Sequence, residues 1–274
     1  MEPSHPARPE LAHPSHHPTY DPADSVVRVR DLHRSFTPTG GVLAGLDLDL
    51  RAGEVVCLTG RRGSGKSTLL RALARLDRDV VGSGTLRLPE VITVLDADPA
   101  LLGWRRVLDN ITTGLGTFDA LRRGRRALAE VGLAARELAW PDDLDDADRH
   151  RVALARTTAS GTELLLADEP YRGLDAFGQG ELHRLLRRAA VTHQMAVLLV
   201  TGDVHEAITL ADRIITLRDG RIHHDLRVRG REDRAPVGEA YAGIRTLLEA
   251  ELGLRAGPVG VPTTAEPVAR RETA

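Results

Sequence analysis

The chain has 274 residues, of which 42% are hydrophobic, enough for a substantial core in one large domain or two small ones. Its 37 Lys and Arg nearly balance its 39 Asp and Glu, and the net charge of −2 argues against nucleic acid as a partner. The single cysteine, Cys57, cannot form an internal disulfide, and no apolar run reaches the roughly 18 residues of a membrane span. These features predict a cytoplasmic protein that would act at a membrane only as a peripheral protein, without spanning it.

The two ends of the chain differ in composition from the middle. Residues 1–24 are rich in Pro and His and poor in large apolar residues, which predicts a disordered tail. No Cys or carboxylate set accompanies the histidines of this segment, so we predict no metal site there. We expect the folded domain to span residues 25–253 and a flexible tail to span residues 254–274.

The hydrophobic pattern of the middle predicts an α/β fold. Residues 26–29 and 46–50 partly alternate between apolar and polar side chains, as strands with one wet face do. Residues 55–58, 164–167 and 196–200 are continuously apolar, which is typical of parallel strands covered by helices on both faces. Residues from about 100 to 158 are mostly helix-like, with Leu121, Leu128 and Val131 at helical spacing. Near the end of the chain, one amphipathic helix is indicated by Tyr241, Ile244, Leu248 and Leu252.

Residues 60–68 fit the phosphate-binding P-loop pattern at every defined position, between an apolar strand and a helical stretch. The glycines would let backbone N–H groups converge on a β-phosphate, Lys66 would neutralise the β and γ oxygens, and Ser67 would coordinate Mg²⁺. A glycine turn before a surface helix is the alternative, but it leaves the Gly-Lys-Ser run unexplained. The predicted nucleotide-binding residues of the loop are Gly60, Gly63, Ser64, Gly65, Lys66, Ser67 and Thr68.

Two carboxylates, Asp168 and Glu169, follow the apolar strand at residues 164–167, and α/β sheets bind ligands at this edge. Asp168 would hold Mg²⁺ through water, and Glu169 would take a proton from the water that attacks the γ-phosphate. The alternative is that the acidic pair only caps a helix, but the P-loop in the same chain favours the nucleotide-site interpretation. We therefore predict an ATP and Mg²⁺ site with Ser67 and Asp168 at the metal and Asp168 and Glu169 as catalytic residues.

These motifs in this order resemble the ATP-binding subunits of ABC transporters over most of residues 26–253. The resemblance implies a RecA-like P-loop core with an antiparallel β subdomain and a helical insertion. It also implies that Phe36 stacks on adenine and that the loop of residues 173–175 communicates between two subunits. Residues 101–110 are similar to a stretch typical of importers for nitrate, sulfonates and taurine.

Such importers place two ATP-binding subunits, as a homodimer or a heterodimer, on a pair of integral-membrane permeases. The subunits lie at the inner face of the cell membrane, and an external solute-binding protein delivers the solute. By resemblance, the chain is expected to be an ABC-type ATPase in such an assembly.

Three motifs of that family are altered here. The glutamine that senses Mg²⁺ and the attacking water aligns with Ala97, or with Asp96 if a gap is allowed. The signature loop, Leu-Ser-Gly-Gly-Gln in the family, is Leu-Asp-Asp-Ala-Asp at residues 144–148. We expect Asp145 to cap the following helix, which preserves the helix, while the carboxylates disfavour the γ-phosphate of a partner subunit. The histidine that contacts the γ-phosphate is replaced by Gly202, and His205 would fall on the next helix.

Two functions from different classes therefore stay open. One is an importer ATPase subunit with slow turnover or with a better-equipped partner chain. The other is a nucleotide-binding sensor or scaffold that does not hydrolyse ATP. A P-loop kinase would need a phosphate-acceptor site, and the sequence shows no independent sign of one.

Overall fold

The structure, a computed structural model, describes residues 25–37, 40–77, 80–116, 118–228 and 238–254. The predicted N-terminal tail lies outside these ranges, as does the predicted C-terminal tail beyond Leu254. Within them the chain forms nine strands and seven α-helices.

A small antiparallel sheet contains the first strands of the chain. Its strands are β1 (Ser25–Thr37), β2 (Gly40–Arg51) and β4 (Val81–Arg87). Their order in the sheet is β2-β1-β4. Val27, Val29 and Leu48 on its inner face are buried, whereas the alternate Asp47 is exposed. Because side chains alternate between the faces of a strand, this pattern covers one face and leaves the other in water, as the sequence predicts.

The main sheet has six strands, which are β3 (Val55–Thr59), β5 (Ile92–Asp96), β6 (Leu164–Asp168), β7 (Ala196–Val200), β8 (Arg213–Arg218) and β9 (Arg221–Arg227). Their order is β5-β6-β7-β3-β8-β9, and only β9 runs antiparallel to its neighbour. All residues of β3 and β7 are buried, and their side chains enter two separate apolar clusters. The prediction of parallel strands buried on both faces is confirmed.

Helices cover the main sheet and form the insertion between β5 and β6. The helices are α1 (Lys66–Leu73), α2 (Val107–Thr112), α3 (Ala120–Glu130), α4 (Asp146–Ala159), α5 (Ala176–Thr192), α6 (Val204–Leu210) and α7 (Glu239–Leu252). Helices α2, α3 and α4 follow β5 and precede β6, as the helix-like stretch predicts. The residues at helical spacing do not share one buried face: Leu128 and Val131 are buried, but Leu121 is 53% exposed. Gly124, Ala127 and Leu128 carry the buried face of α3.

The last helix, α7, returns to the body of the protein. Leu248 is fully buried, and Tyr241, Ile244 and Leu252 pack against the same apolar cluster. The prediction that this helix packs on the core is confirmed. Across the described ranges, we find no helix that combines the length and the apolar character needed to cross a membrane.

The order of the parallel strands decides where the motifs that the sequence analysis identified meet. Strands β5, β6, β7 and β3 are neighbours and parallel, so their carboxyl ends lie along one edge of the sheet. The loop after β3, Asp96 at the end of β5, Asp168 at the end of β6 and the loop after β7 all lie on this edge. Ligand sites of open α/β sheets lie at this position.

Candidate functional site

The loop between β3 and α1 has a backbone that requires glycine at two positions. Gly60 has a φ of +150°, and a Cβ there would overlap the carbonyl oxygen of Leu217. Gly65 has a φ of +106°, and a Cβ would lie 3.0 Å from the carbonyl oxygen of Val42. Since side chains are excluded at both positions, the backbone N–H groups at the start of α1 stay accessible to a ligand.

Lys66, the first residue of α1, is the one lysine of the sequence. Its Nζ atom donates hydrogen bonds to the carbonyl oxygens of Gly60 at 2.6 Å and of Arg61 at 2.9 Å. Burial lowers the pKa of Lys66, while the nearby charges of Asp168 and Glu169 oppose this shift. The ammonium group is thus held inside the loop, close to the two carboxylates.

A pocket of about 280 Å³ joins the loop to the end of β6. Its lining residues are Val42, Arg62, Gly63, Gly65, Lys66, Ser67, Thr68, Asp168, Glu169 and Val200. In the same loop, the hydroxyl oxygen of Ser64 is buried and has no hydrogen-bond partner among the described residues. The structure thus brings together most of the residues that the sequence predicts for phosphate and metal.

Asp168 is half-buried at the end of β6, directly beside Asp96 at the end of β5. Burial raises the pKa of Asp168, and Glu169 and Asp96 raise it further, while Lys66 and Arg71 lower it. A carboxylate among like charges gains from a divalent cation, and the hydroxyl of Ser67 on the same pocket is a second oxygen donor. The donor set therefore fits Mg²⁺.

Glu169 has a backbone φ of +46°, which is rare for a residue other than glycine. Its backbone N–H donates to the carbonyl oxygen of Val200 at 2.9 Å, which ties the end of β6 to β7. Its carboxylate lies 3.3 Å from Arg172 and remains partly exposed to the pocket. This strained conformation directs Glu169 away from the regular path of the sheet and into the candidate site.

Phe36 lies on β1, away from these residues in the chain, and its side chain is 54% exposed. It is absent from the described residues that line the pocket. An exposed aromatic ring at the end of a strand suits a stacking role, and adenine stacking by Phe36 stays a prediction.

The aspartates in place of the signature loop begin helix α4. Asp145 is the N-cap, and its carboxylate accepts a hydrogen bond from the backbone N–H of Asp148 at 2.7 Å. The expectation that Asp145 caps this helix is confirmed. The side chain of Asp146 is 78% exposed, so its negative charge faces the surface at the start of the helix.

The loop after β7 has no imidazole at Gly202. A Cβ at this position would meet no atom within 4 Å among the described residues, so the missing side chain leaves open space. Asp203 caps α6 by accepting from the backbone N–H groups of His205 and Glu206. His205 does lie on α6, and its Nδ1 atom is 2.9 Å from the hydroxyl of Tyr241. The His205 ring therefore contacts α7 through Tyr241.

Sequence reasoning missed a contact between the loop after β5 and α4. His150 is buried, and its two ring nitrogens lie 3.1 Å from the carbonyl oxygen of Ala97 and 2.7 Å from that of Asp146. His150 follows the altered signature loop, and Ala97 stands at the altered glutamine position. One side chain thus joins two altered motifs, which no spacing in the sequence could indicate.

Fold and site together define a P-loop nucleotide-binding protein with a helical insertion. A family model described as ABC transporter matches residues 43–172. The chain is 52% identical over 229 residues to the aliphatic sulfonates import ATP-binding protein SsuB 2 of Nocardia farcinica, covering 84% of this chain and 95% of that protein. It is 50% identical over 233 residues to the protein of the same name from Rhizobium johnstonii, covering 85% and 93%. The chain belongs to the ABC transporter family, as an ATP-binding subunit.

Solved structures of low identity show the same fold. The structure of cbiO1 from Clostridium perfringens superposes with a TM-score of 0.69 at 23% identity, over 75% of this chain and 90% of that chain. The ATP-binding cassette MJ0796, solved as a dimer bound to ADP and Pi, gives a TM-score of 0.62 at 24% identity, over 74% and 99%. The predicted fold class, an ABC-type P-loop core, is confirmed.

Proposed function

We propose that the chain is the ATP-binding subunit of an importer for aliphatic sulfonates. The observation that carries the proposal is the pocket in which Lys66, Ser67, Asp168 and Glu169 converge. The near full-length similarity to proteins named as aliphatic sulfonate import ATP-binding proteins supports the solute class. Taurine and nitrate, which the sequence also allowed, have no such support among these relatives.

In this role the residues of the pocket bind MgATP. The backbone N–H groups of the loop and Lys66 would hold the phosphates, and Ser67 and Asp168 would hold the metal. Bound Mg²⁺ supplies charge neutralisation on the phosphates. Glu169 would orient the attacking water and accept its proton.

The assembly that fits this function has two ATP-binding subunits on integral-membrane permeases. The described part of the chain has no helix that could cross the membrane itself, so attachment at the inner face would rest on the permeases. A heterodimer would give the pocket of this chain an intact signature loop from the partner. It would not replace Gly202 or Ala97, which belong to this chain.

A second function is favoured by the altered positions. Asp145, Asp146 and Gly202 place carboxylates and open space where the family has donors to the γ-phosphate. A chain of this kind would bind nucleotide and signal its presence without turnover. The site supports binding in both hypotheses, and the difference between them is the rate of phosphate release.

Growth on an aliphatic sulfonate as the only sulfur source tests the proposed function. We expect deletion of the coding sequence to stop this growth while growth on sulfate continues. The wild-type gene should restore growth, and the Lys66→Ala gene should not. Restoration by Lys66→Ala would show that the role needs no bound nucleotide, and growth of the deletion strain would remove sulfonate import as the function.

A further inference from the structure

Two adjacent histidines on β9 meet a glutamate near the end of α7, outside the nucleotide pocket. The Nε2 atom of His223 lies 3.5 Å from Oε1 of Glu251, and the Nδ1 atom of His224 lies 3.8 Å from the same oxygen. One ligand atom from each residue lies within 4.8 Å of the others. The Glu251 side chain is only 12% exposed, and both histidines are partly buried.

Two imidazoles and one carboxylate are a donor set that suits Zn²⁺ and neighbouring transition metals. A tetrahedral Zn²⁺ with ligands at about 2.0–2.2 Å holds its ligand atoms roughly 3.3–3.6 Å apart. The two distances to Glu251 are close to this spacing, and small side-chain rotations would bring the two rings together. We propose that His223, His224 and Glu251 form a binding site for a divalent transition-metal ion of the Zn²⁺ class.

The surroundings hold the three side chains in place. Arg218 donates to both oxygens of Glu251, at 2.9 and 2.8 Å, which orients the carboxylate. The hydroxyl of Thr216 accepts from the backbone N–H of His224 at 3.0 Å and lies 3.1 Å from Nδ1 of the same residue, a contact that a metal ion at Nδ1 would replace. A metal ion at Oε1 leaves Oε2 to Arg218. Because Arg218 is a cation, it weakens the attraction for the ion while it orients the ligand.

One of the two elements that the cluster joins, helix α7, also contacts the phosphate loop. The backbone carbonyl of Glu251 accepts a hydrogen bond of 3.0 Å from Arg61 of the phosphate loop. An ion bound by β9 and α7 would fix the end of α7 against the main sheet. We therefore expect Zn²⁺ to raise the thermal stability of the nucleotide-free protein.

Calorimetric titration of the nucleotide-free full-length chain with ZnCl₂ tests the site. The background is the His5→Ala, His13→Ala, His16→Ala and His17→Ala variant, so that the N-terminal histidines do not contribute. We expect one equivalent of Zn²⁺ to bind, and His223→Asn, His224→Asn and Glu251→Gln each to weaken binding at least about tenfold. Glu249→Gln makes the same change one half-turn earlier on α7, outside the cluster, and should leave the affinity unchanged.

Two results would overturn the proposal: no Zn²⁺ binding by the background variant, or equal affinity after Glu251→Gln. A second measurement needs no change in the cluster and decides the matter if a variant fails to fold. Diethylpyrocarbonate modifies accessible neutral histidines, and mass spectrometry locates the products. Zn²⁺ should protect His223 and His224 and leave the rate at His33 unchanged. Equal modification of all three with and without Zn²⁺ would rule out the site.

Discussion

The Oδ1 atom of Asp145 accepts a hydrogen bond of 2.7 Å from the backbone N–H of Asp148, and this contact begins helix α4 where the family has its signature loop. Asp145→Ala removes the cap and should lower the free energy of unfolding by about 1 kcal/mol. Asp145→Ser keeps a capping oxygen and should change it little. Urea denaturation compares the two variants. Equal stability of Asp145→Ala and the wild type would show that the cap contributes nothing.

Repair of the altered motifs should restore turnover. The variant with Asp145→Ser, Asp146→Gly, Ala147→Gly and Gly202→His removes two carboxylates and returns the lost donors, and the open space at Gly202 admits the ring. One transition-state donor is worth about 10²–10³ in rate, so single repairs should stay near background while the fourfold variant becomes measurable. Phosphate release in the presence of MgATP measures the rate.

The same fourfold variant should form dimers when ATP is added. Light scattering measures this association in the fourfold variant that also carries Glu169→Gln, a substitution that traps bound nucleotide. If the fourfold variant neither hydrolyses faster nor dimerises, then residues 144–148 do not face a partner's nucleotide.

Glu169→Gln should change steady-state phosphate release little in the wild-type background. The step that Glu169 serves is already limited by the missing amide, histidine and signature groups, and effects within one catalytic unit do not add. In the fourfold variant the same substitution should lower the rate strongly. A large drop from a readily measured wild-type rate would show that the altered motifs matter less than we infer.

Asp168→Asn should raise the melting temperature of the nucleotide-free protein at neutral pH. Burial and the charges of Glu169 and Asp96 raise the pKa of Asp168, so its ionised form destabilises the folded state. As the pH falls through that raised pKa, the wild-type carboxyl takes up a proton and the difference should shrink. Differential scanning fluorimetry at neutral and acidic pH measures it. A lower melting temperature for Asp168→Asn at neutral pH would show that the ionised carboxylate does not destabilise the folded state.

Several parts of this site could be predicted because they depend on short spacing. The continuous apolar runs of β3 and β6 indicated parallel strands, and the residues that follow such strands share one edge of the sheet. The positions of Lys66 and Asp168 therefore followed from two local patterns. The cap of α4 by Asp145 was equally local.

The rest depends on how distant elements pack. The contact of His150 with Ala97 spans 53 residues, and that of His205 with Tyr241 spans 36, so the angles between elements decide them. Leu121 shares helical spacing with the buried Leu128, yet it is 53% exposed, because the face of α3 that turns inward begins at Gly124. There, a Cβ would crowd Leu108 and Thr112 of α2. The spacing of apolar residues defines a stripe along a helix, and the packing of the neighbouring helix decides which stripe is buried.

We expect the pocket at Lys66 to bind MgATP. Titration calorimetry of the purified full-length chain measures it, with Lys66→Ala as the test variant and Arg184→Ala, which removes an exposed positive charge on α5, as the control. Loss of the ammonium group should weaken ATP binding at least about tenfold, because a charge-assisted hydrogen bond contributes about 1.5–3 kcal/mol. Arg184→Ala should bind as the wild type does. Equal ATP affinity of Lys66→Ala and the wild type would contradict the assignment of the site.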